Sequence, residues 1–229
     1  MTTGDQGELA ADRALLGRTS TAERVADILR GRITEGFFSP GTRLSEDSIG
    51  TALGVSRNTL REAFRLLGHE RLLSHELNRG VFVRKLSAED VVDLYRVRKL
   101  IECAAVRSLT APPAGVDRVA QAVTAAEAAA GREDWVAVGT ENLRFHQALV
   151  ALAGSRRIDE VMNGVLAELR LVFHVMADPK RFHEPYIQRN RLILNTVREG
   201  DGHAADKLLL AYLDLAEREL VDAYRAAVA

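Results

Sequence analysis

The fold of the first third of the chain is decided by one stretch, Leu53-Gly54-Val55-Ser56-Arg57-Asn58-Thr59-Leu60-Arg61-Glu62-Ala63-Phe64-Arg65. Gly54 can adopt the left-handed conformation that ends a helix. Ser56 can accept a hydrogen bond from an amide of the next helix and so cap it. From the helical spacing of apolar residues, the buried face of that next helix is predicted to comprise Leu60, Ala63, Phe64 and Leu67.

Two further helix signals lie upstream of this stretch. Ser20 and Glu23 have the spacing of a capping box, and Gly36 can end the helix that they open. The apolar face of this first helix is predicted to comprise Val25, Ile28, Leu29 and Ile33. Ser45 can cap a short second helix, which then ends at Gly54. The sequence therefore predicts three short helices before residue 70.

After the third helix the sequence changes from helical to extended character. Asn78-Arg79-Gly80 precedes Val81-Phe82-Val83, and Asn and Gly both tolerate the positive φ of a tight turn. β-Branched and aromatic residues favour extended chain, so we expect a small hairpin over residues 72–84. Three short helices followed by a two-stranded ribbon are the layout of a winged helix-turn-helix.

From residue 87 onward the strand signals end and helical periodicity continues. Ser87 can cap a long helix that Pro112-Pro113 would end. Further helices are predicted near residues 116–130, 133–153, 156–177, 186–199 and 202–228, with a loop between Asp178-Pro179 and Glu184-Pro185. About six helices with short connections predict an antiparallel bundle. We therefore expect a mainly α fold with a mobile tail (1–17), a winged helix-turn-helix DNA-binding domain (18–86) and an all-helical domain (87–229).

The composition excludes several classes of protein. The chain has 229 residues, of which 47% are apolar and 28% charged, and a net charge of -1, so it is neither fibrous, collagen-like nor wholly disordered. No apolar run approaches the roughly 18 residues that span a bilayer. The first residues lack the basic and apolar regions of a secretory signal, and the single cysteine, Cys103, can make no internal disulfide. We expect a cytoplasmic protein without membrane contact.

The third helix carries residue types that read DNA. Arg57, Arg61 and Arg65 lie four residues apart on the face opposite the apolar one, and the major groove admits a helix. Arg57 could pair with guanine through two hydrogen bonds, Asn58 could read adenine, and Thr59 could hold a phosphate. Residues 17–86 also carry 12 basic against 8 acidic residues. The alternative is an exposed arginine face that contacts only water.

The hairpin offers a second DNA contact. Its tip, Asn78-Arg79-Gly80, places an arginine beside a glycine that allows close approach of the backbone. Arg79 is expected to contact a phosphate or the minor groove. Taken as an isolated tripeptide, the same residues are only a tight turn.

Four motifs carry a resemblance to a known family: Pro40-Gly41-Thr42-Arg43-Leu44, Leu53-Gly54-Val55-Ser56-Arg57, Leu60-Arg61-Glu62-Ala63 and Asn78-Arg79-Gly80-Val81-Phe82-Val83. Through them residues 19–86 resemble the winged-helix domain of the GntR family of bacterial transcription regulators. The resemblance implies a dimeric regulator, more often a repressor, that binds double-stranded operator DNA under the control of a small ligand. With the arginines above, the DNA-binding set comprises Arg43, Ser56, Arg57, Asn58, Thr59, Arg61, Arg65, Arg79 and Gly80.

The chain departs from the family pattern at two places. Many members have Thr-Pro or Thr-Thr where this chain has Asn58-Thr59. Glu46-Asp47 is acidic at a helix start that is basic in some relatives.

The helical remainder resembles the FadR-type effector domain, called FCD. Tyr95-Arg96-Val97-Arg98 followed by Glu102, Phe145-His146, and Gly200-Asp201 carry this resemblance. In that family an Asp and a His four residues apart, with two further histidines, commonly hold a divalent metal. This chain has Asn142, His146, Asn190 and Tyr212 at those positions, so His146 is the one retained ligand.

The loss of three ligands predicts a site without a tightly held transition metal and a protein without a cofactor, because amide and phenol groups are poor zinc ligands. Rebuilding of a metal site with His174 or Glu141 is the alternative. The expected occupant is a small organic, anionic effector. The effector-binding set comprises Arg98, Asn142, His146, Arg170, His174, Asn190 and Tyr212. For His146 a hydrogen-bonded core position is an equal alternative, and His69, His75, His183 and His203 receive no role.

Two other classes of function compete with a regulator. A helical bundle with Glu, His and Arg could house a metal-assisted hydrolase, but HExxH, Gly-x-Ser-x-Gly and a Gly-rich phosphate loop are all missing from the sequence. A scaffold without a ligand is the third hypothesis. We expect a regulator and not an enzyme.

Overall fold

The computed structural model describes residues 20–174, 176 and 178–228, without the side chains of 227 and 228. The chain divides into two compact units between Arg84 and Lys85. The tail expected at residues 1–17 lies outside the described residues.

The first unit contains three helices, α1 (Thr21–Thr34), α2 (Glu46–Leu53) and α3 (Arg57–His69). Each begins at a serine cap predicted from the sequence. At α1, the Glu23 amide donates to Ser20 Oγ (3.1 Å) and the Ser20 amide donates to Glu23 Oε2 (2.6 Å), which completes the capping box. The φ of Gly54 is +65°, and this left-handed residue ends α2 as expected.

The wing is a three-stranded antiparallel sheet of β1 (Arg43–Leu44), β2 (Leu73–Glu76) and β3 (Gly80–Val83), in the order β1-β3-β2. The hairpin predicted over residues 72–84 is confirmed as β2 and β3, and β1 adds a third strand that the sequence did not predict. Arg43 pairs with Phe82 and Leu44 with Val81, so the chain before α2 covers the second edge of β3. A strand of two residues is too short to show alternation in a sequence.

The buried face of α1 differs from the predicted one at one residue. Val25, Leu29 and Ile33 are buried, whereas Ile28 is 49% exposed. Ala22 and Ala26 are also buried and shift the centre of the buried face away from Ile28. The small alanines allow α1 to pack closely against α3, the helix it contacts most.

The second unit contains six helices: α4 (Ala88–Arg107), α5 (Val116–Ala130), α6 (Trp135–Ala151), α7 (Arg156–Phe173), α8 (Pro179–Glu199) and α9 (Gly202–Val228). α6 packs against α4, α5, α7 and α8, so it lies at the centre of the bundle. α4 and α9 run antiparallel, since Lys99 bonds Glu217 and Arg107 bonds Asp206. The mainly α fold with a winged helix-turn-helix is confirmed. In the described part of the chain, none of the helices is both long and apolar enough to cross a bilayer.

The loop predicted over residues 178–185 is in fact the beginning of α8. Asp178 caps the helix through Arg181 N (3.0 Å), and Pro179 occupies the first turn, where the missing N–H costs no hydrogen bond. Pro185 lies inside the helix. Burial of Phe182 and Tyr186 on either side of it outweighs the one backbone hydrogen bond that this proline removes.

The turn between α8 and α9 is packed against the end of α4, which stops at Arg107, before Pro112-Pro113. A Cβ on Gly202 would lie 2.4 Å from the carbonyl oxygen of Leu109, and a Cβ on Gly200 2.5 Å from the carbonyl carbon of Ala111. Only glycine fits so close to another backbone. This close backbone contact explains why the Gly200-Asp201 motif contains a glycine.

Candidate functional site

Helix α3, the expected recognition helix, separates its apolar and polar faces as the sequence predicted. Its apolar residues (Leu60, Ala63, Phe64 and Leu67) are fully buried. Arg57, Asn58, Arg61 and Arg65 are exposed on the other side. The hydroxyl of Ser56 accepts from the Thr59 amide (3.1 Å) and lies 2.8 Å from Thr59 Oγ1, so these two side chains build the first turn of the helix.

The wing brings three of the predicted DNA-binding residues together. Gly80 has φ +114°, and a Cβ there would lie 3.1 Å from Arg43 Nε, so the Arg43 side chain lies across this glycine. Asn78 has φ +60° at the tip of the hairpin. The guanidinium of Arg79 lies 5.6 Å from the centre of the Phe82 ring, in a cation–π contact. Two arginines therefore flank the turn.

Carboxylates lie beside the predicted arginines, and sequence reasoning missed this arrangement. Two of the carboxylates come from α2, where Asp47 bonds Arg57 (2.9 Å) and Glu46 bonds Arg61 Nε (3.0 Å). Arg65 pairs with Glu62 (2.6 Å) and Arg79 with Glu76. The acidic start of α2 was visible in the sequence, but its pairing depends on how α2 packs against α3.

In the second unit, five of the seven predicted effector residues meet at the centre of the bundle. Arg98 comes from α4, Asn142 and His146 from α6, Asn190 from α8 and Tyr212 from α9. All five are at least 93% buried. Two helical repeats place them there: Arg98 and Glu102 are four residues apart on α4, and Asn142 and His146 are four apart on α6.

A continuous chain of hydrogen bonds joins these side chains. Arg98 Nε donates to Glu102 Oε1 (2.7 Å), and Glu102 Oε2 lies 2.6 Å from His146 Nδ1. The Tyr212 hydroxyl lies 3.1 Å from His146 Nε2 and 2.9 Å from Asn142 Oδ1. Asn190 Nδ2 donates to the same Asn142 oxygen (2.8 Å). The chain thus links four helices through polar groups in a buried core.

The charge of each group in this hydrogen-bond chain follows from the groups around it. Burial alone would raise the pKa of Glu102, but the charge of Arg98 and the hydrogen bonds from Arg98 and His146 outweigh it and lower the pKa of this carboxyl. Burial lowers the pKa of His146, and Glu102 offsets only part of this effect. His146 is therefore best described as a neutral imidazole that donates its Nδ1–H to the Glu102 carboxylate, so its Nε2 is an acceptor and the single proton of the Tyr212 hydroxyl is donated either to Nε2 or to Asn142 Oδ1.

Two atoms of the cluster are left without a hydrogen-bond partner. Arg98 Nη2 and Asn190 Oδ1 are both buried, and neither bonds any described residue. One is a donor and the other an acceptor. An unsatisfied buried polar atom is costly, so each marks a place where a bound molecule would gain a hydrogen bond.

The residues do not fit the divalent metal that the FCD resemblance implied. Both ring nitrogens of His146 face protein partners, and Asn142 Oδ1 lies within hydrogen-bonding distance of two donors. Within the described ranges no group of three or more His, Cys, Asp or Glu is placed to hold a metal ion. His174, the alternative ligand, lies half-buried at the end of α7.

Arg170 lies on α7 and His174 caps the end of this helix, so the remaining two residues of the predicted effector set come from α7. Arg170 is buried beside Gly139 of α6 and His183 of α8. His183, which sequence reasoning gave no role, is 3% exposed and packs edge-on against Phe173. Burial, and secondarily the charge of Arg170, lowers the pKa of His183 to about 4.

A sequence signal for His183 existed but was hidden. Its helix buries residues at helical spacing, namely Phe182, His183, Tyr186, Asn190, Ile193, Leu194 and Val197. Pro179 and Pro185 concealed the first part of this pattern. Reading Pro179 as a first-turn residue and Pro185 as a residue inside the helix would have extended the apolar face back to Phe182.

Comparison with known proteins places both units in families. The model of the FCD domain matches residues 93–215, and that of the bacterial regulatory proteins of the gntR family matches residues 21–83. The crystal structure of a transcriptional regulator GntR from Rhodococcus sp. RHA1 is 50% identical in sequence, with a TM-score of 0.86 over 90% of this chain and all of that one.

Two curated relatives are named as repressors. The HTH-type transcriptional repressor RspR of Escherichia coli (strain K12) is 25% identical over 203 residues, which cover 83% of this chain and 85% of RspR. The gluconate operon transcriptional repressor of Bacillus subtilis (strain 168) is 37% identical over 98 residues, 43% of this chain and 40% of that one. The matched families and relatives are transcription regulators and not enzymes. The chain belongs to the GntR family of bacterial transcription regulators, in the FadR-like branch that carries an FCD domain.

Proposed function

We propose that this regulator binds a pseudo-palindromic operator as a homodimer, acts as a repressor, and changes its DNA affinity when a small organic anion binds in the helical unit. Repression is supported by the names of two relatives. A regulator acts on chromosomal DNA, so it works in the cytoplasm.

The observation that carries the proposal is the exposed polar face at the start of α3. Arg57, Asn58 and Arg61 project from the first two turns of this helix, whose opposite side is fully buried. The first turn of a recognition helix is the part that meets base edges in the major groove. Arg57 then reads guanine and Asn58 reads adenine, while Arg79 and Arg43 contact phosphates or the minor groove from the wing.

Homodimerisation follows from the geometry of DNA. A pseudo-palindromic site presents two half-sites about one helical turn apart, and one copy of α3 reads one half-site. Two chains related by a two-fold axis supply two recognition helices. Light scattering of the free protein should give about twice the 25.1 kDa of one chain.

An anionic effector is supported by the buried donors of the bundle. Arg98 Nη2 offers one hydrogen bond inside the unit, and Arg170 places a second guanidinium in its interior. A carboxylate suits a guanidinium better than a neutral group does, because hydrogen bonds between charged partners are stronger. Asn190 Oδ1 would accept from a hydroxyl or amino group of the same molecule.

The test combines DNA selection and a ligand screen. Genomic fragments retained by the protein would be sequenced, and a retained fragment would then be used to screen small carboxylates for release of DNA. We expect enrichment of a few sites with an inverted repeat and release by at least one carboxylate. Uniform retention of the whole genome would contradict operator recognition. Release by no carboxylate, at sites that are clearly enriched, would contradict the anionic effector alone.

A further inference from the structure

On the surface predicted to read DNA, four of the five arginines are paired with carboxylates. Arg57, Arg61, Arg65 and Arg79 each form an ion pair with an acidic side chain of the same unit. Together the four pairs have no net formal charge. Among the arginines of the predicted set, Arg43 is the one for which no carboxylate partner occurs in the described part of the chain. Such a surface has little of the positive charge that non-specific DNA binding uses.

The pairs fall into two kinds. Glu62 and Glu76 lie three residues from their arginines in sequence, a spacing that brings side chains together on a helix and, here, also across the hairpin turn. Glu46 and Asp47 instead come from α2 and reach across to α3. In a helix-turn-helix the first helix crosses the DNA backbone, so the start of α2 lies close to phosphates in a complex.

The Asp47–Arg57 pair is open to solvent. The side chains are 73% and 71% exposed, and the atoms Oδ1 and Nη2 are 2.9 Å apart. An exposed pair of this kind contributes little to stability, so it opens readily when a better partner arrives. Guanine offers Arg57 two parallel hydrogen bonds, through O6 and N7, in place of the single Nη2–Oδ1 contact with Asp47.

For the arginines of α3, a phosphate of the DNA backbone is a less favourable partner than guanine. Contact with phosphate leaves Asp47 or Glu46 beside the DNA backbone, where like charges repel. Binding without base contacts depends almost wholly on phosphate neutralisation and counterion release. The carboxylates therefore weaken binding to random DNA more than binding to a site where Arg57 reaches guanine.

We propose that Glu46 and Asp47 are specificity-determining residues, which hold Arg57 and Arg61 and repel phosphates so that the regulator binds non-operator DNA weakly. This inference rests on the proposed role of α3 in reading the operator. It assigns to the acidic start of α2 a function in discrimination between DNA sequences.

The test measures binding of two 30-base-pair duplexes, one of random sequence and one selected as an operator from a random library. Fluorescence anisotropy at several salt concentrations gives the affinity and its salt dependence for the full-length parent, Asp47→Asn and Glu46→Gln. The matched control is Glu35→Gln, because Glu35 pairs with the exposed Arg32 of α1 and with none of the predicted DNA-binding arginines.

For Asp47→Asn and Glu46→Gln we expect random DNA to bind roughly 3- to 10-fold more tightly than it binds to the parent. The slope of log affinity against log salt should steepen by about 0.9 for each phosphate newly neutralised. Operator affinity should change less, so the ratio of operator to random affinity falls. Glu35→Gln should match the parent on both duplexes.

Equal tightening on both duplexes, or no tightening beyond that of Glu35→Gln, would overturn the inference. Arg57→Ala separates this failure from failure of the proposed function. If Arg57→Ala binds the selected operator as the parent does, α3 does not read the site as proposed. If Arg57→Ala loses operator preference while Asp47→Asn and Glu46→Gln behave like the control, only the role of the carboxylates is wrong.

Discussion

The charged residues of the predicted DNA-binding surface and those at the centre of the helical bundle lie in different surroundings. The arginines predicted to contact DNA are exposed and form ion pairs with neighbouring carboxylates. Arg98 and Glu102 are buried and depend on one another, so removal of either would leave an uncompensated charge in the core. Substitutions on α3 therefore report on DNA binding, whereas substitutions at the buried pair report first on stability.

Substitutions of Arg57 on α3 and of Arg79 in the wing should affect DNA binding in different ways. Arg57→Ala is expected to weaken operator binding by about 1–3 kcal/mol and to relax preference at one base pair of each half-site, because a two-hydrogen-bond contact with guanine is lost. Arg79→Ala should weaken binding to all sequences and reduce the salt slope by about 1. Anisotropy titrations on operator and random duplexes measure both.

Arg32→Ala is the control for this comparison, since it removes an exposed arginine of α1. Identical behaviour of Arg57→Ala and Arg79→Ala across sequences and salt concentrations would show that α3 and the wing do not have the separate roles assigned to them.

His183 makes the stability of the helical unit depend on pH. Its pKa is about 4 in the folded chain and about 6.5 when unfolded, so the unfolded state binds more protons between these values. The unit therefore loses stability as the pH falls from about 6.5 towards 4, by about 2 kcal/mol between pH 7.5 and 5.0. His183→Gln should remove most of this contribution and make the pH dependence shallower.

The single tryptophan, Trp135, lies at the start of α6, so its fluorescence follows unfolding of the helical unit alone. Urea titrations at the two pH values measure the free energy of unfolding. The same substitution at the exposed His203 controls for loss of an imidazole. A pH dependence in His183→Gln as steep as that of the parent would show that His183 is not the responsible group.

At the scale of elements, the packing of turns against helices limits which residues fit at a position. The pattern of side chains in the sequence does not show these limits. The α8–α9 turn touches the carbonyl groups at the end of α4 through Gly202. The additional wing strand β1 belongs to the same class of features, since it pairs with β3, a neighbour distant in sequence.

Gly202→Ala should destabilise the helical unit by about 2 kcal/mol or more, because the new methyl group would meet backbone oxygens at 2.4 and 2.6 Å that cannot rotate away. Gly164→Ala is the matched control. It lies in α7 with nothing within 4 Å of the new Cβ, so alanine should stabilise the helix by about 0.5–1 kcal/mol. Urea unfolding followed by Trp135 compares the two, and equal effects would contradict the close contact at Gly202.

Helix starts and buried faces were predictable because their signals are local. Ser20, Ser45, Ser56 and Ser87 all cap helices where the sequence placed them. The hydrogen bonds of the central cluster were only partly predictable: family motifs pointed to Arg98, His146 and Tyr212, but the partner of each atom depends on how four helices cross. The ion pairs of α2 with α3 were not predictable, since they join two elements of the fold.

At the scale of the whole molecule, the chain combines a winged helix-turn-helix unit with a helical unit whose buried centre is polar and retains one residue of the family's metal-ligand set, His146. The hydrogen-bond chain from Arg98 to Asn190 joins α4, α6, α8 and α9, and the last three of these helices carry the positions of the metal ligands in the family pattern. A ligand that bonds Arg98 Nη2 or Asn190 Oδ1 therefore contacts a network that spans the bundle.

Protein purified without chelator or a metal-affinity tag should contain far less than one equivalent of zinc, nickel or manganese per chain, and chelator should leave its melting temperature unchanged. The triple variant N142D/N190H/Y212H, which supplies the family's ligand types, is the positive control and should take up zinc. One equivalent of metal in the parent, lost together with thermal stability on adding chelator, would restore a metal-dependent site.

The most direct test of the account is selection of binding sites by the full-length protein from a random duplex library, followed by sequencing. We expect the parent protein to enrich an inverted repeat. The Arg57→Ala variant should lose its preference at one base pair in each half-site of that repeat. Failure to enrich any sequence, or an Arg57→Ala variant that selects the same repeat with the same preferences, would contradict recognition of an operator by α3.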